Sequence, residues 1–135
     1  MNKQLKQVED FHKAFNLTVN QKPCLLNDEV ATLRYHLLQE ENEEYLEAVN
    51  QDDITEMVDA LGDQLYIVLG SIITHGCQHI IEKVFDEIQR SNMSKLENGV
   101  PLINGHNIFV EDKPLGKVIK SKSWSPPDIK SIIKL

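Results

Sequence analysis

Apolar residues return every three or four positions through the first two thirds of the chain, which is the period of helices that each bury one face. Leu5, Val8, Phe11 or His12, and Phe15 predict a first helix ending around Asn16, ahead of the loop LTVNQKPCL. A second helix, capped by Asn27 or Asp28 and running to about Asn50, carries Val30, Leu33, Leu37, Glu41, Glu44 and Ala48 on one stripe. Two glutamates thus stand where the period asks for leucines. A third helix begins at Asp52, Asp53 or Thr55, passes through Met57, Val58, Leu61, Leu65, Val68, Leu69 and Ile72, and stops near His75 and Gly76. Glu56, Asp59, Asp63 and Tyr66 share another face of it. A fourth helix, from Gln78 to about Ser91, turns Ile81, Val84, Phe85 and Ile88 inward.

After Ser91 the period is lost. Gly99, Pro101, Gly105, Pro114, Gly116, Pro126 and Pro127 break any long helix, and the pair Asn104-Gly105 between short apolar runs predicts a small hairpin or an extended arm. Lys113, Lys117, Lys120, Lys122 and Lys130 give the arm a basic bias, and Trp124 is expected to anchor it. Gly62 and Gly70 each cost about 1 kcal/mol against alanine inside a helix, which predicts close helix approach there. The expected fold class is all-α, a four-helix bundle over residues 1–96 with an irregular C-terminal extension over 97–135, packed on the same domain or on a partner subunit.

Composition narrows the functions open to such a bundle. With 135 residues, 41% hydrophobic and 26% charged, the chain can build a core of its own. Its net charge of −7 argues against a surface that neutralises a nucleic-acid polymer, though a divalent cation can still bring a phosphorylated ligand to it. The start, MNKQLKQVEDFHKAF, has no apolar leader, and no run of about 18 uninterrupted apolar residues predicts a membrane span, so a cytoplasmic protein is expected. Cys24 and Cys77 fit no zinc or disulfide pattern and are expected to be reduced thiols.

The acidic residues carry the chemistry. Glu41 and Glu44 lie three apart on the second helix, and Glu56, Asp59 and Asp63 project from one face of the third. A short connection makes these helices antiparallel neighbours, so the two sets can converge. Carboxylates brought together with no lysine or arginine among them repel unless protonated or metallated. Oxygen ligands without cysteine or histidine suit a hard ion, Mg²⁺ or Mn²⁺. A di-iron carboxylate bundle would need Glu-x-x-His on two helices, and the chain has one such pattern, Glu9 to His12, away from the clusters.

From Val8 to Lys130 the chain resembles the all-α nucleoside triphosphate pyrophosphohydrolases, the MazG-like and phosphoribosyl-ATP pyrophosphohydrolase-like group. The resemblance rests on EENEE with Glu40, Glu41 and Glu44, on EMVD with Glu56 and Asp59, and on ALGDQLYIVLG, DFHKAF, VFDEIQRSNMSKL and GKVIKSKSWSPPDI. It implies magnesium-dependent cleavage of a nucleotide between its α and β phosphates, releasing a monophosphate and pyrophosphate. It further implies that Glu41, Glu44, Glu56 and Asp59 ligate metal, with Glu40 as an additional ligand or as the base for the attacking water. On an alternative alignment to E-x-x-D-L-L-Y, Asp63 takes the place of the aspartate and Ala60 that of the glutamate, which makes Asp63 a further ligand or substrate contact. Asn92 and Lys95, in SNMSK, are then expected at phosphate oxygens. His12, Tyr66 and Arg34 are candidates for contacts to base, ligand carboxylate or phosphate, set against ordinary packed or solvated roles.

The expected partners are a nucleotide substrate and a second copy of the chain, as a homodimer or a dimer of dimers, because four helices around a charged cleft leave little core for a monomer. Substrates from dUTP and dCTP to damaged nucleotides and phosphoribosyl-ATP remain open, since base selection depends on pocket shape. The other reading is a non-catalytic, metal-stabilised dimerisation or nucleotide-sensing module.

Overall fold

The computed structural model describes residues 1–134 and is all-α, with no β-strand among those residues. Five helices follow in order: α1 (Asn2–Ala14), α2 (Asp28–Asn50), α3 (Ile54–Thr74), α4 (Ile81–Met93) and α5 (Ile129–Ile133). The short α5 was not expected in the arm. Asp128 starts it by accepting from the Ser131 N–H, a cap the proline-rich surroundings had masked. The chain divides into two compact units, Met1–Ile81 and the segment from Glu82 onward.

In the first unit, caps set the helix ends. Asn27 accepts from Val30 N–H at 2.9 Å, and Asp53 accepts from Thr55 and Glu56 N–H at 3.0 and 3.1 Å. α2 and α3 pack side by side, and α1 crosses α3 through Leu5, Val8, Leu69 and Ile73, the buried apolar core. The loop between α1 and α2 takes up carbonyls that α3 leaves open at its C-terminus: Asn20 N–H donates to Ile73 O, the Asn20 amide to Thr74 O, and Cys24 N–H to His75 O. Gly76, with φ of 72°, turns the chain against the backbone of Lys22. α3 is long and apolar enough to cross a membrane by length and composition alone, and the reason is that it has two apolar faces. One faces α1 and α2, while Val58, Leu61, Leu65 and Val68 lie open on the other.

In the second unit, where a small hairpin or an extended arm was expected, the described residues form no strand-built hairpin, and isolated bridges, such as Ile103 to Val118, link the arm. Asn104 is the reason. Its fully buried amide donates to the carbonyls of Val110, Lys113 and Pro114 at 3.1, 2.7 and 3.2 Å, and its Oδ1 accepts from Val110 N–H at 2.7 Å. One side chain thus supplies the partners that a strand ladder would have supplied.

α4 grips the end of the arm through Glu87 and Arg90. Arg90 donates twice to the Glu87 carboxylate, at 2.9 and 2.7 Å, and once to Pro126 O, while Glu87 also accepts from Asp128 N–H at 2.8 Å. Arg90 first, then the Asp128 amide, hold the Glu87 carboxyl down at about 2. Because the folded value lies below the unfolded one, the stabilisation is complete above the ordinary value of 4.5 and is lost as pH falls from there to about 2. Glu87→Gln should therefore melt below the parent near neutral pH, with the gap closing across that acid window; a gap that ignores pH would contradict the assignment.

Candidate active site

Three contacts set the register of α2 against α3. Arg34 donates to Ser71 Oγ at 3.0 Å and to Ile67 O, and Gln64 Nε2 donates to the backbone carbonyl of Glu41 at 3.3 Å. Glu41 therefore faces the segment of α3 that carries Asp59 and Asp63. Arg34 is thus a structural arginine, and burial lowers its pKa. Its head occupies space over Gly70, where an added Cβ would lie 2.5 Å from Nη2 and 3.0 Å from His12 Nε2. At Gly70 the space is filled by the Arg34 and His12 side chains rather than by the backbone of another helix, and Gly62 has open space around it.

Glu41 is half-buried, and its Oε2 is inaccessible to solvent without any hydrogen-bond partner. Burial raises its carboxyl above the ordinary range, and the charges of Glu44, Asp63, Glu40 and Asp59 add to the rise. No lysine or arginine pairs with any of these five carboxylates among the described residues. An orphaned, partly desolvated carboxylate oxygen among four like charges is unfavourable, and such a donor set suits a hard cation. Among the described residues no three acidic, histidine or cysteine side chains are closed around one point. Glu40, Glu44, Asp59 and Asp63 are exposed, and mutual repulsion favours their spreading into solvent.

Of the expected ligands, Glu56 lines a recess of about 370 Å³ with Glu44, Glu47, Ala48 and Gln51. Both Asp63 and Asp59 act on the Glu41 carboxyl. The expected apolar stripe of α2 is also narrower, since Leu33 is 55% exposed and Arg34 takes the inward position beside it. Glu43 and Glu47, expected on the surface, are both exposed; Glu43 accepts from Gln39, and Glu47 accepts from Gln51 beside the Glu56 recess.

Other candidates lie elsewhere. His12 is 3% exposed in the core of the first unit, with Nδ1 donating to Thr18 O at 3.1 Å. Tyr66 packs edge-on against Phe11, whose ring also meets Phe15 at 4.5 Å, so the exposed aromatic surface beside His12 belongs to Phe11, Phe15 and Tyr66. Asn92 and Lys95 are brought together in the second unit, where Lys95 Nζ donates to Asn92 Oδ1 at 2.8 Å. Sequence reasoning missed Gln64, for which the one signal was a glutamine on the inward side of α3.

The chain is all-α and presents acidic stripes on two adjacent helices. Residues 8–92 match the family described as phosphoribosyl-ATP pyrophosphohydrolase, and the chain belongs to that family, within the MazG-like all-α nucleoside triphosphate pyrophosphohydrolase superfamily. The family consists of pyrophosphohydrolases, hydrolases that act on acid anhydrides. The matched segment contains Glu40, Glu41, Glu44, Glu56, Asp59 and Asp63. Comparison with curated proteins gives no match.

Proposed function

We propose that the protein is a magnesium-dependent nucleotide pyrophosphohydrolase that breaks the α–β phosphate anhydride of a nucleoside triphosphate or a phosphoribosyl-ATP-like substrate. The observation that carries the reading is the orphaned Oε2 of Glu41 amid four carboxylates that no basic side chain neutralises. Glu41, Glu44, Asp59 and Asp63 would hold the cation, with Glu56 reached through Glu44, its neighbour in the adjoining recess. Bound magnesium would screen the polyphosphate and lower the pKa of a water. Glu40, exposed beside Glu41, is free to rotate and accept the proton of the attacking water. The new bond joins that water's oxygen to phosphorus, the bridging oxygen departs, and pyrophosphate and a monophosphate are left. Phe11, Phe15 and Tyr66 offer ring faces for the base, a role for which buried His12 is less suited.

A second copy of the chain completes the bundle in this reading. Tyr35 and Leu38 of α2 with Leu61, Leu65 and Val68 of α3 line an open apolar groove of about 610 Å³. Tyr35 is 64% and Leu65 53% exposed, more than a face meant for water would show in a continuous strip. The same strip on a two-fold partner would meet it as two helix pairs. Light scattering is expected to give a dimer or larger species for the parent chain and monomer for Leu65→Glu; a monomeric parent would overturn this part.

The substrate is settled by measuring pyrophosphate release from a panel of deoxynucleotides, ribonucleotides and phosphoribosyl-ATP. Release with magnesium that stops on chelation is expected for at least one of them. Binding without release from any nucleotide would sink the enzyme reading and leave a sensing module.

A further inference from the structure

The second unit holds a recess that the carboxylate site does not use. It encloses about 380 Å³ and is lined by Lys95, Lys113, Lys117 and Lys120, with Val118 and Ile119 as its apolar wall. Lys113, Lys117 and Lys120 make no ion pair among the described residues, although Glu111 and Asp112 precede them directly. Lys120 lies over the Trp124 ring at 3.6 Å from its centre, and the Trp124 Nε1 is buried without an acceptor. Lys95 is steered by Asn92. Four lysines line one recess, in a chain whose net charge of −7 leaves ample carboxylate that could have been set beside them. Their concentration on one small cavity suits a compact multivalent anion, and the cavity is too confined for a nucleic-acid duplex.

We propose that Lys113, Lys117 and Lys120 join Lys95 in a binding pocket for a chain of two or three phosphates. The choice of polyphosphate as the anion rests on the hydrolase reading, whereas the existence of an anion pocket does not. Two sources share this chemistry, the tail of a nucleoside triphosphate and free pyrophosphate.

Calorimetry on the full chain in EDTA, at fixed ionic strength, isolates the pocket, because without a divalent cation the carboxylates repel phosphate. Pyrophosphate, tripolyphosphate and an α,β-imido deoxynucleotide are titrated in turn, with sulfate as the monophosphate-sized control. Pyrophosphate or the analogue is expected to bind the parent and Glu41→Gln alike, and about tenfold or more weaker to Lys113→Gln/Lys117→Gln, whose circular dichroism and melting are checked for an intact fold. Tighter binding of free pyrophosphate supports a product pocket, and tighter binding of the analogue a pocket for the substrate's tail. No binding by the parent, equal binding by the double variant, or sulfate binding as tightly as pyrophosphate overturns the proposal. Lysine-dependent binding without turnover of any nucleotide would fail the hydrolase reading alone; turnover without lysine-dependent binding would fail the pocket alone.

Discussion

Glu41→Gln is expected to lower pyrophosphate release by a factor on the order of 10³ and, in the same protein, to raise the melting temperature measured in EDTA. Both effects come from one observation. The Oε2 of Glu41 is buried and unpartnered, and the charges of Glu44, Asp63, Glu40 and Asp59 all oppose ionisation of its carboxyl. Removing that charge relieves desolvation and repulsion, so the folded state gains stability. Adding magnesium should reverse the order, stabilising the parent more than the variant, since only the parent keeps the full negative set. Activity should fall because the amide neither attracts the cation as strongly nor supports deprotonation of water nearby. A variant that loses both activity and stability would make Glu41 a structural residue, and one that keeps its activity would remove it from the site.

The second large effect is expected at the C-terminus of α3. Gly76→Ala should cost about 3 kcal/mol or more in chemical denaturation. Its φ of 72° is a conformation in which an L side chain costs about 1–2 kcal/mol by itself. The new Cβ would also lie 2.2 Å from the carbonyl oxygen of Lys22 and 2.8 Å from its nitrogen, and backbone cannot step aside as a flexible side chain can. Displacing Lys22 pulls on the loop whose Asn20 and Cys24 satisfy the last carbonyls of α3. Gly62→Ala is the control, because nothing lies within 4 Å of a Cβ there and the backbone is helical. A loss at Gly76 no larger than at Gly62 would contradict the clash.

Much of the helical unit was legible because its signals are local. Asn27 and Asp53 are caps whose side chains reach N–H groups two or three residues on, and Gly76 ends α3 through its own φ, so short windows of sequence contain the whole cause. The acidic stripes were legible for the same reason, since spacing alone puts Glu41 and Glu44, or Asp59 and Asp63, on one face. What spacing does not encode is which member faces a neighbouring helix. Arg34, polar by composition, sits inward because Ser71 and Ile67 O satisfy it, and its neighbour Leu33 turns out. Glu56 lines a recess with Glu44 and Glu47, a grouping that spacing along α3 alone does not give. The arm was least legible. Asn104 joins four groups between six and ten residues ahead of it, and no periodic pattern announces a side chain acting as backbone.

The same asparagine bears on how the protein ages. An asparagine followed by glycine is the sequence most prone to lose its amide, because the unhindered glycine nitrogen can attack the side-chain carbonyl and close a succinimide ring. The chain has two such pairs, Asn98-Gly99 and Asn104-Gly105. At the first, both residues are exposed. At the second, the attacking nitrogen is engaged with Ile108 O at 2.8 Å and the amide is buried and held by three carbonyls. Spontaneous deamidation should thus mark Asn98 while the arm stays folded. At Asn104 it would record that the arm had opened, and the resulting carboxylate, unable to donate to those carbonyls, would hinder its closing again.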